Sequence, residues 1–389
     1  MNLNTIKNLF AALCLAAGSC SAATHPDQAT MQNSVDAAIK PLLEKYQIAG
    51  MAVAVSVNGA NHFFNYGLAS RETKQPVTAT TLFEIGSISK TFTASLASYA
   101  QLNGQLNLSD PASKYLPELR GSSFDQISLL NLGTHTGSNF PLQVPEHIHN
   151  DEQLMDYFKN WQPAHPAGVY RTYSNPGIGL LGLITARSMQ MPFDDAMEKV
   201  LLPALGMKHS YLNVPADQMR NYAQGYSKDD ALVRVTPGQL GAITYGIKTD
   251  STDLLRYLNA NMQEVALTDK FQRALIDTHT GYFKAGKIIQ DLMWEQYPDT
   301  APLAQLVAGN SSEMIFSDTP VIKIDPPLPP QANVLLNKTG STNGFGAYVL
   351  FAPARKIGIV MLANRSYPIE ARVTAAYEIL KALQSLPEQ

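Results

Sequence analysis

The sequence predicts an α/β fold of the α+β type, in which an antiparallel sheet flanked by N- and C-terminal helices joins a mainly helical lobe across a cleft. Three observations carry this expectation. Strand-like runs occur near both ends of the chain, an amphipathic helix lies outside each set of runs, and the stretch between them is mainly helical in pattern. With 389 residues, 45% of them apolar, the chain can fill one large core or two lobes that share a cleft.

The first segment is expected to be absent from the mature protein. Lys7, the apolar run Leu9 to Ala17 and the small residues Ser21-Ala22-Ala23 form the three-part pattern of a secretory signal peptide, residues 1–22, with cleavage near Ala22 and delivery to the periplasm. The apolar run falls short of the roughly 20 residues that a membrane span needs, and no later stretch reaches that length. A lipid anchor on Cys20 would call for a large aliphatic residue where Ala17 stands. Both cysteines, Cys14 and Cys20, lie in this segment, so cysteine catalysis and disulfides are excluded from the mature chain.

Residues 23–389 read as a single domain, with 23–80 and 320–389 as the sheet lobe and 81–319 as the mainly helical lobe. In the first of these stretches Val35, Ala38, Ile39, Leu42, Leu43 and Tyr46 have helical spacing over residues 28 to 46, with Pro41 expected to kink or restart the helix. Met51, Val53, Val55 and Val57 then alternate as a strand, and Asn58-Gly59 supplies the positive φ angles of a tight hairpin before a second strand ending near Tyr66. At the other end, runs at Val334 to Leu336, Ala347 to Phe351 and Ile357 to Leu362 predict a meander, with Pro326 to Pro330 as its stiff lead-in. A last helix, with Val373, Ala376, Tyr377, Leu380 and Leu383 on one face, should cover the same sheet. Between about 80 and 320, helices alternate with long Pro-, Gly- and Asn-rich connections such as Pro141 to Asn150 and Pro163 to Gly177. A cleft between the lobes is where residues of both can converge.

Three short elements carry chemistry. Ser87-Ile88-Ser89-Lys90 opens a helix that continues through Phe92, Leu96 and Tyr99 to a stop at Asn103-Gly104. Ser87 and Lys90 share a face, and an amine near the positive end of a helix can have its pKa lowered enough to activate a serine. Alone, this spacing fits an ordinary solvated helix lysine as well. Tyr173-Ser174-Asn175-Pro176 follows a long connection; the phenol can move a proton if cations depress its pKa, and the asparagine can both donate to and accept from a substrate amide. A buried tyrosine in an Asn-Pro turn would look the same. Lys338-Thr339-Gly340, continuing as Ser341-Thr342-Asn343-Gly344, ends a strand where a cation and a hydroxyl can bind a carboxylate and glycine lets a ligand lie against the edge. An exposed edge lysine that deters aggregation is the plainer reading of that element.

Taken together, in this order and on helix, loop and strand, these elements match the Ser-x-x-Lys, Tyr-x-Asn and Lys-Thr-Gly set of the penicillin-recognising serine enzymes. Phe83-Glu84-Ile85-Gly86, Pro141-Leu142-Gln143-Val144-Pro145, Pro237-Gly238-Gln239-Leu240 with Tyr245-Gly246, and Met361-Leu362-Ala363-Asn364 with Arg372 narrow the likeness. Across essentially the whole mature chain, the sequence resembles class C β-lactamases, cephalosporinases that hydrolyse β-lactam antibiotics and so confer resistance. The resemblance implies that Ser87 attacks the lactam carbonyl, that Lys90 and Tyr173 share the proton transfers, and that Lys338 polarises Tyr173 and helps bind substrate. It implies an oxyanion hole from the backbone N–H groups of Ser87 and Ser341. It also places Gln143 and Asn175 at the acyl side-chain amide, Thr339, Gly340 and Arg372 around the substrate carboxylate, and Tyr245 on a wall of the cleft.

Four positions depart from the pattern. Asn337 stands in place of a histidine, Ile369 of an asparagine, Gly241 of an aspartate and His135 of a tyrosine, departures that bear on substrate range more than on the reaction.

A formal net charge of −3 without long runs of one sign gives no footprint for nucleic acid or an anionic membrane. The expected partners are therefore small β-lactams, and the expected state is a monomer without a cofactor. His147-Ile148-His149-Asn150-Asp151 fits a His-x-His-x-Asp zinc pattern, but it follows a Pro-bounded loop, and His165, His209 and His279 have no local partner pattern for further ligands, so no metal is expected. Among serine enzymes, a DD-peptidase or low-molecular-mass penicillin-binding protein is the first alternative and a family VIII esterase the second. A β-lactam sensor domain would be the non-enzymatic reading, and it requires a transmembrane signalling segment that this chain lacks.

Overall fold

The computed structural model describes residues 28–385; the expected signal peptide and both cysteines lie outside them. Eleven strands form one antiparallel sheet. Gly50–Val57 pairs with Ala60–Ser70 on one side and Ile357–Ala363 on the other, and Gly346–Ala352 and Val334–Ser341 extend the sheet in turn. Asn58 and Gly59 close the first hairpin with φ of 51° and 80°, as a two-residue turn between twisted strands requires. Alternation sets the register. Met51, Val53 and Val55 face one layer of core, while Ala52 and Ala54 face the other.

The sheet is wider than the periodicity predicts. Gly281–Ala285, Ile288–Gln290 and Glu295–Pro298, all inside the segment read as mainly helical, continue it beyond Val334–Ser341. Thr319–Leu328 joins them, with only the two-residue strand Tyr170–Arg171 outside it. Runs of three to five residues offer too little alternation to be read as strands. Pro320, Pro326 and Pro327 are tolerated because this strand lies next to the edge. The Pro-rich lead-in thus belongs in part to a strand.

Helices Gln28–Lys45 and Ile369–Ser385 cover one face of the sheet, burying Met31, Val35 and Ile39 beside Val373, Ala376 and Leu380. The first helix runs on through Pro41 rather than restarting. The opposite face carries the helical lobe. At its centre Ser89–Leu102 is buried on nearly every side, with Phe92 stacked on Tyr257 at 3.9 Å. Close packing there depends on missing side chains: a Cβ at Gly182, in helix Asn175–Ser188, would collide with Ile243. The start of the central helix lies against the end of strand Val334–Ser341, at the mouth of the cleft.

Candidate active site

Ser87 lies in a tight 3-10 turn, Gly86–Ile88, that leads into the central helix. Its hydroxyl is half-buried, whereas Lys90, one helical turn on, is fully buried. The Lys90 Nζ lies 2.8 Å from Ser87 Oγ and donates to the Thr244 carbonyl at 3.0 Å. Burial removes water from the ammonium and lowers its pKa to about 8 despite the nearby Tyr173 phenol. Strand Val334–Ser341 presses its backbone directly on this turn. A Cβ on Gly86 would sit 2.5 Å from the Ser341 nitrogen, and one on Gly340 would strike the Ile85 carbonyl. Glycine at both places lets the turn and the strand meet backbone to backbone.

Tyr173 completes the group from the loop before helix Asn175–Ser188. Three cations ring it: Lys338 Nζ lies 5.0 Å from its ring centre, Lys90 Nζ 5.3 Å and the Arg171 guanidinium 5.5 Å. Burial pushes the phenol up, but Lys338, Lys90 and a hydrogen bond from Ser87 bring it down to about 8. Lys338 and Arg171 are in turn anchored by Glu295, at 3.1 Å and 3.5 Å. Although burial disfavours its charge, Lys338 is held above the usual lysine range by Glu295 and Tyr173. Sequence reasoning missed Glu295 and Arg171. The only hint of the first was a carboxylate closing the otherwise apolar run Leu292-Met293-Trp294, and the second stood two residues before a motif tyrosine.

A cavity of about 510 Å³ opens over these groups, lined by Ser87, Tyr173, Lys338, Thr339, Gly340 and Ser341 and, at one end, by Gln143 and Asn175. Asn175 Nδ2 donates to Gln143 Oε1 at 2.7 Å, while its buried Oδ1 has no partner among the described residues. Ile369, Met314 and Phe316 line the cavity as well.

Two expected ligand groups lie elsewhere. Arg372 is 1% exposed and sits behind the strand, donating to the carbonyls of Gly340 at 2.7 Å and Tyr367 at 3.0 Å and to Ser341 Oγ at 2.9 Å. Its guanidinium does not border the cavity and reaches it only through Gly340 and Ser341, which do. Tyr245 is half-buried, accepts from the Gly238 N–H at 3.4 Å, and does not border the cavity. Gly241 follows from that packing, since a Cβ there would come within 2.8 Å of Pro237 and 2.9 Å of the Tyr245 hydroxyl. Asn337 is buried, paired across the sheet with Glu295.

The His-x-His-x-Asp segment has a local structural explanation. Asn150 caps helix Asp151–Asn160, and His147 and His149 are exposed on the preceding loop. His209, which has no partners in the local sequence, meets Asp250 and Asp253 in space. The Asp250 carboxylate already caps helix Ser251–Asn261 and meets the His209 ring at 3.0 Å, and that of Asp253 accepts from the His209 N–H and the Ser210 hydroxyl.

The family model described as Beta-lactamase matches residues 35–384. A β-lactamase of Lysobacter lactamgenus is 52% identical over 355 residues, covering 91% of this chain and 92% of that protein. A crystal structure of a class C β-lactamase in complex with cefoxitin superposes with a TM-score of 0.89 at 58% identity, over 91% of this chain and 99% of that one. A β-lactamase/D-alanine carboxypeptidase from Pseudomonas syringae gives 0.89 at 50% identity, over 90% and 98%. Among the described residues no helix is long and apolar enough to cross a membrane.

Proposed function

The chain belongs to the β-lactamase family, as a class C serine β-lactamase that hydrolyses β-lactams, and on that premise we propose that it works through an acyl-enzyme on Ser87, with cephalosporins as preferred substrates. The observation that carries the mechanism is the contact between the Ser87 hydroxyl and a buried lysine and tyrosine that both titrate near pH 8. One of the two accepts the serine proton as Oγ attacks the lactam carbonyl, and the other delivers a proton to the ring nitrogen as the C–N bond breaks. The N–H groups of Ser87 and Ser341 face the developing oxyanion, a contribution of about 3 to 4 kcal/mol per donor in such sites. Water then attacks the ester, its proton passes to the same pair, and Ser87 leaves as the free hydroxyl.

Lys338 holds Tyr173 acidic and, with Thr339, faces the substrate carboxylate, while Gln143 and the open acceptor of Asn175 face the acyl side-chain amide. The cephalosporin preference is supported by the class C likeness and by a relative captured with cefoxitin. The signal pattern places the enzyme in the periplasm after cleavage, and a cleft built from one chain fits a monomer.

A chromogenic cephalosporin separates this reading from its rivals: many turnovers per enzyme are expected, whereas one stoichiometric burst would contradict it. A second reading, D-alanine carboxypeptidase activity in the same cleft, is favoured by the likeness to the β-lactamase/D-alanine carboxypeptidase of Pseudomonas syringae. Release of D-alanine from a D-Ala-D-Ala peptide tests it.

A further inference from the structure

We propose that His135 is a positioning residue that clamps Tyr173 in place for proton transfer, a role that rests on the reading of Tyr173 given above. The clamp has three contacts. His135 accepts the N–H of Thr172 on its carbonyl at 2.8 Å and the N–H of Ser174 on its Nδ1 at 3.3 Å, so both amides flanking Tyr173 are held by one residue. Its ring also packs on the Tyr173 ring, with centres 4.3 Å apart.

His135 reaches all three because its backbone is in the left-handed region, φ 60°, a conformation that histidine adopts sparingly. The Ser174 contact needs an unprotonated Nδ1 and therefore fixes the neutral tautomer with hydrogen on Nε2. Burial, then Arg171, Lys90 and Lys338, hold His135 neutral. Those cations and Tyr173 are the charged and titratable groups around it, and the clamp keeps the phenol among them. A tyrosine, which the family resemblance would place at this position, has no acceptor at the δ position of its ring. The clamp is thus a feature of this chain's departure.

Two substitutions separate the acceptor from the ring. His135→Phe keeps an aromatic ring and removes the acceptor. His135→Asn loses the ring but keeps an oxygen near the place of Nδ1 and tolerates positive φ. Turnover of a chromogenic cephalosporin, its pH profile and thermal unfolding are measured for both, with Tyr173→Phe alongside.

The clamp requires His135→Phe to lose on the order of tenfold or more in kcat with KM changed less than about threefold, because a small misplacement of a proton-transfer group is costly. Its acid limb should move to higher pH as the phenol leaves its cations. His135→Asn should recover kcat to within about threefold and return the limb to its wild-type position. Loss of activity in His135→Asn with an unmoved limb would show that the ring alone matters and overturn the proposal, as would wild-type kcat in both variants. If His135→Phe does not fold, the asparagine variant still decides between these outcomes. Wild-type turnover in Tyr173→Phe would remove the reading of Tyr173 and the clamp with it, whereas failure of the histidine variants alone leaves that reading standing.

Discussion

Among the described residues Lys90 has no carboxylate partner; it meets the Ser87 hydroxyl, the Thr244 carbonyl and the Tyr173 phenol, and this makes a buried ammonium ready to give up its proton. With Lys90 and Tyr173 both near 8 and interacting, the pair loses its protons in two coupled steps. The singly protonated pair holds one base and one acid, so kcat/KM should follow a bell centred near pH 8, falling below as both groups protonate and above as both lose their protons. A flat profile between pH 6 and about 10 would contradict this pairing. Removing the phenol in Tyr173→Phe should cost on the order of 10²-fold in kcat. At the carboxylate end, Ile369→Asn should raise kcat/KM by no more than about tenfold, since water supplies part of the missing hydrogen bond. Lys338→Ala should be far more damaging, because it strips Tyr173 of its strongest cation; steady-state kinetics on one cephalosporin orders the two. The residues that the structure gathers around Ser87 were legible in the sequence because each motif is local. Glu295 was not: it meets Lys338 from 43 residues away and Arg171 from 124, and no short pattern records such pairs.

Elements meet at this site through absent side chains. Strand Val334–Ser341 and the turn before the central helix touch backbone to backbone at Gly340 and Gly86, and Arg372 braces the strand from behind. Arg372→Ala should therefore act on stability, leaving the Gly340 and Tyr367 carbonyls without their buried donor and costing about 2 to 4 kcal/mol in denaturant unfolding. Wild-type stability with a raised KM would instead return Arg372 to the substrate carboxylate. The likeness in sequence could name Arg372 but not the side of the strand it occupies, since that depends on how helix Ile369–Ser385 packs. The first hairpin and the C-terminal meander were readable because their strands are long and punctuated by strong turns. The strands between Gly281 and Pro298 were too short for that, and their place was set by pairing with Val334–Ser341.

Across the whole molecule, the central strands of the sheet are buried on both faces, and an ionisable group inside must be paired, hydrogen-bonded or neutral. His279 stays neutral: burial lowers it from 6.5 to about 3, with Asn261 as its hydrogen-bond partner. Below the unfolded-state value, only the unfolded chain takes up this proton, so stability falls as pH drops from 6.5 toward 3. Between pH 7 and 5 this one group should cost about 2 kcal/mol, and His279→Gln, with urea unfolding measured at both values, should show a loss smaller by that amount. The two-lobed plan itself was legible from the terminal helices and strands. The width of the sheet was not, because more than half of its strands come from segments whose local pattern does not declare them.

The central claim is that Ser87 carries the acyl group, and intact-protein mass spectrometry with a slowly hydrolysed β-lactam tests it most directly. The wild-type chain should gain the mass of one β-lactam, peptide mapping should place it on Ser87, and Ser87→Ala should fold normally, gain no mass and show no turnover. An adduct on any other residue, or undiminished turnover by Ser87→Ala, would contradict the account.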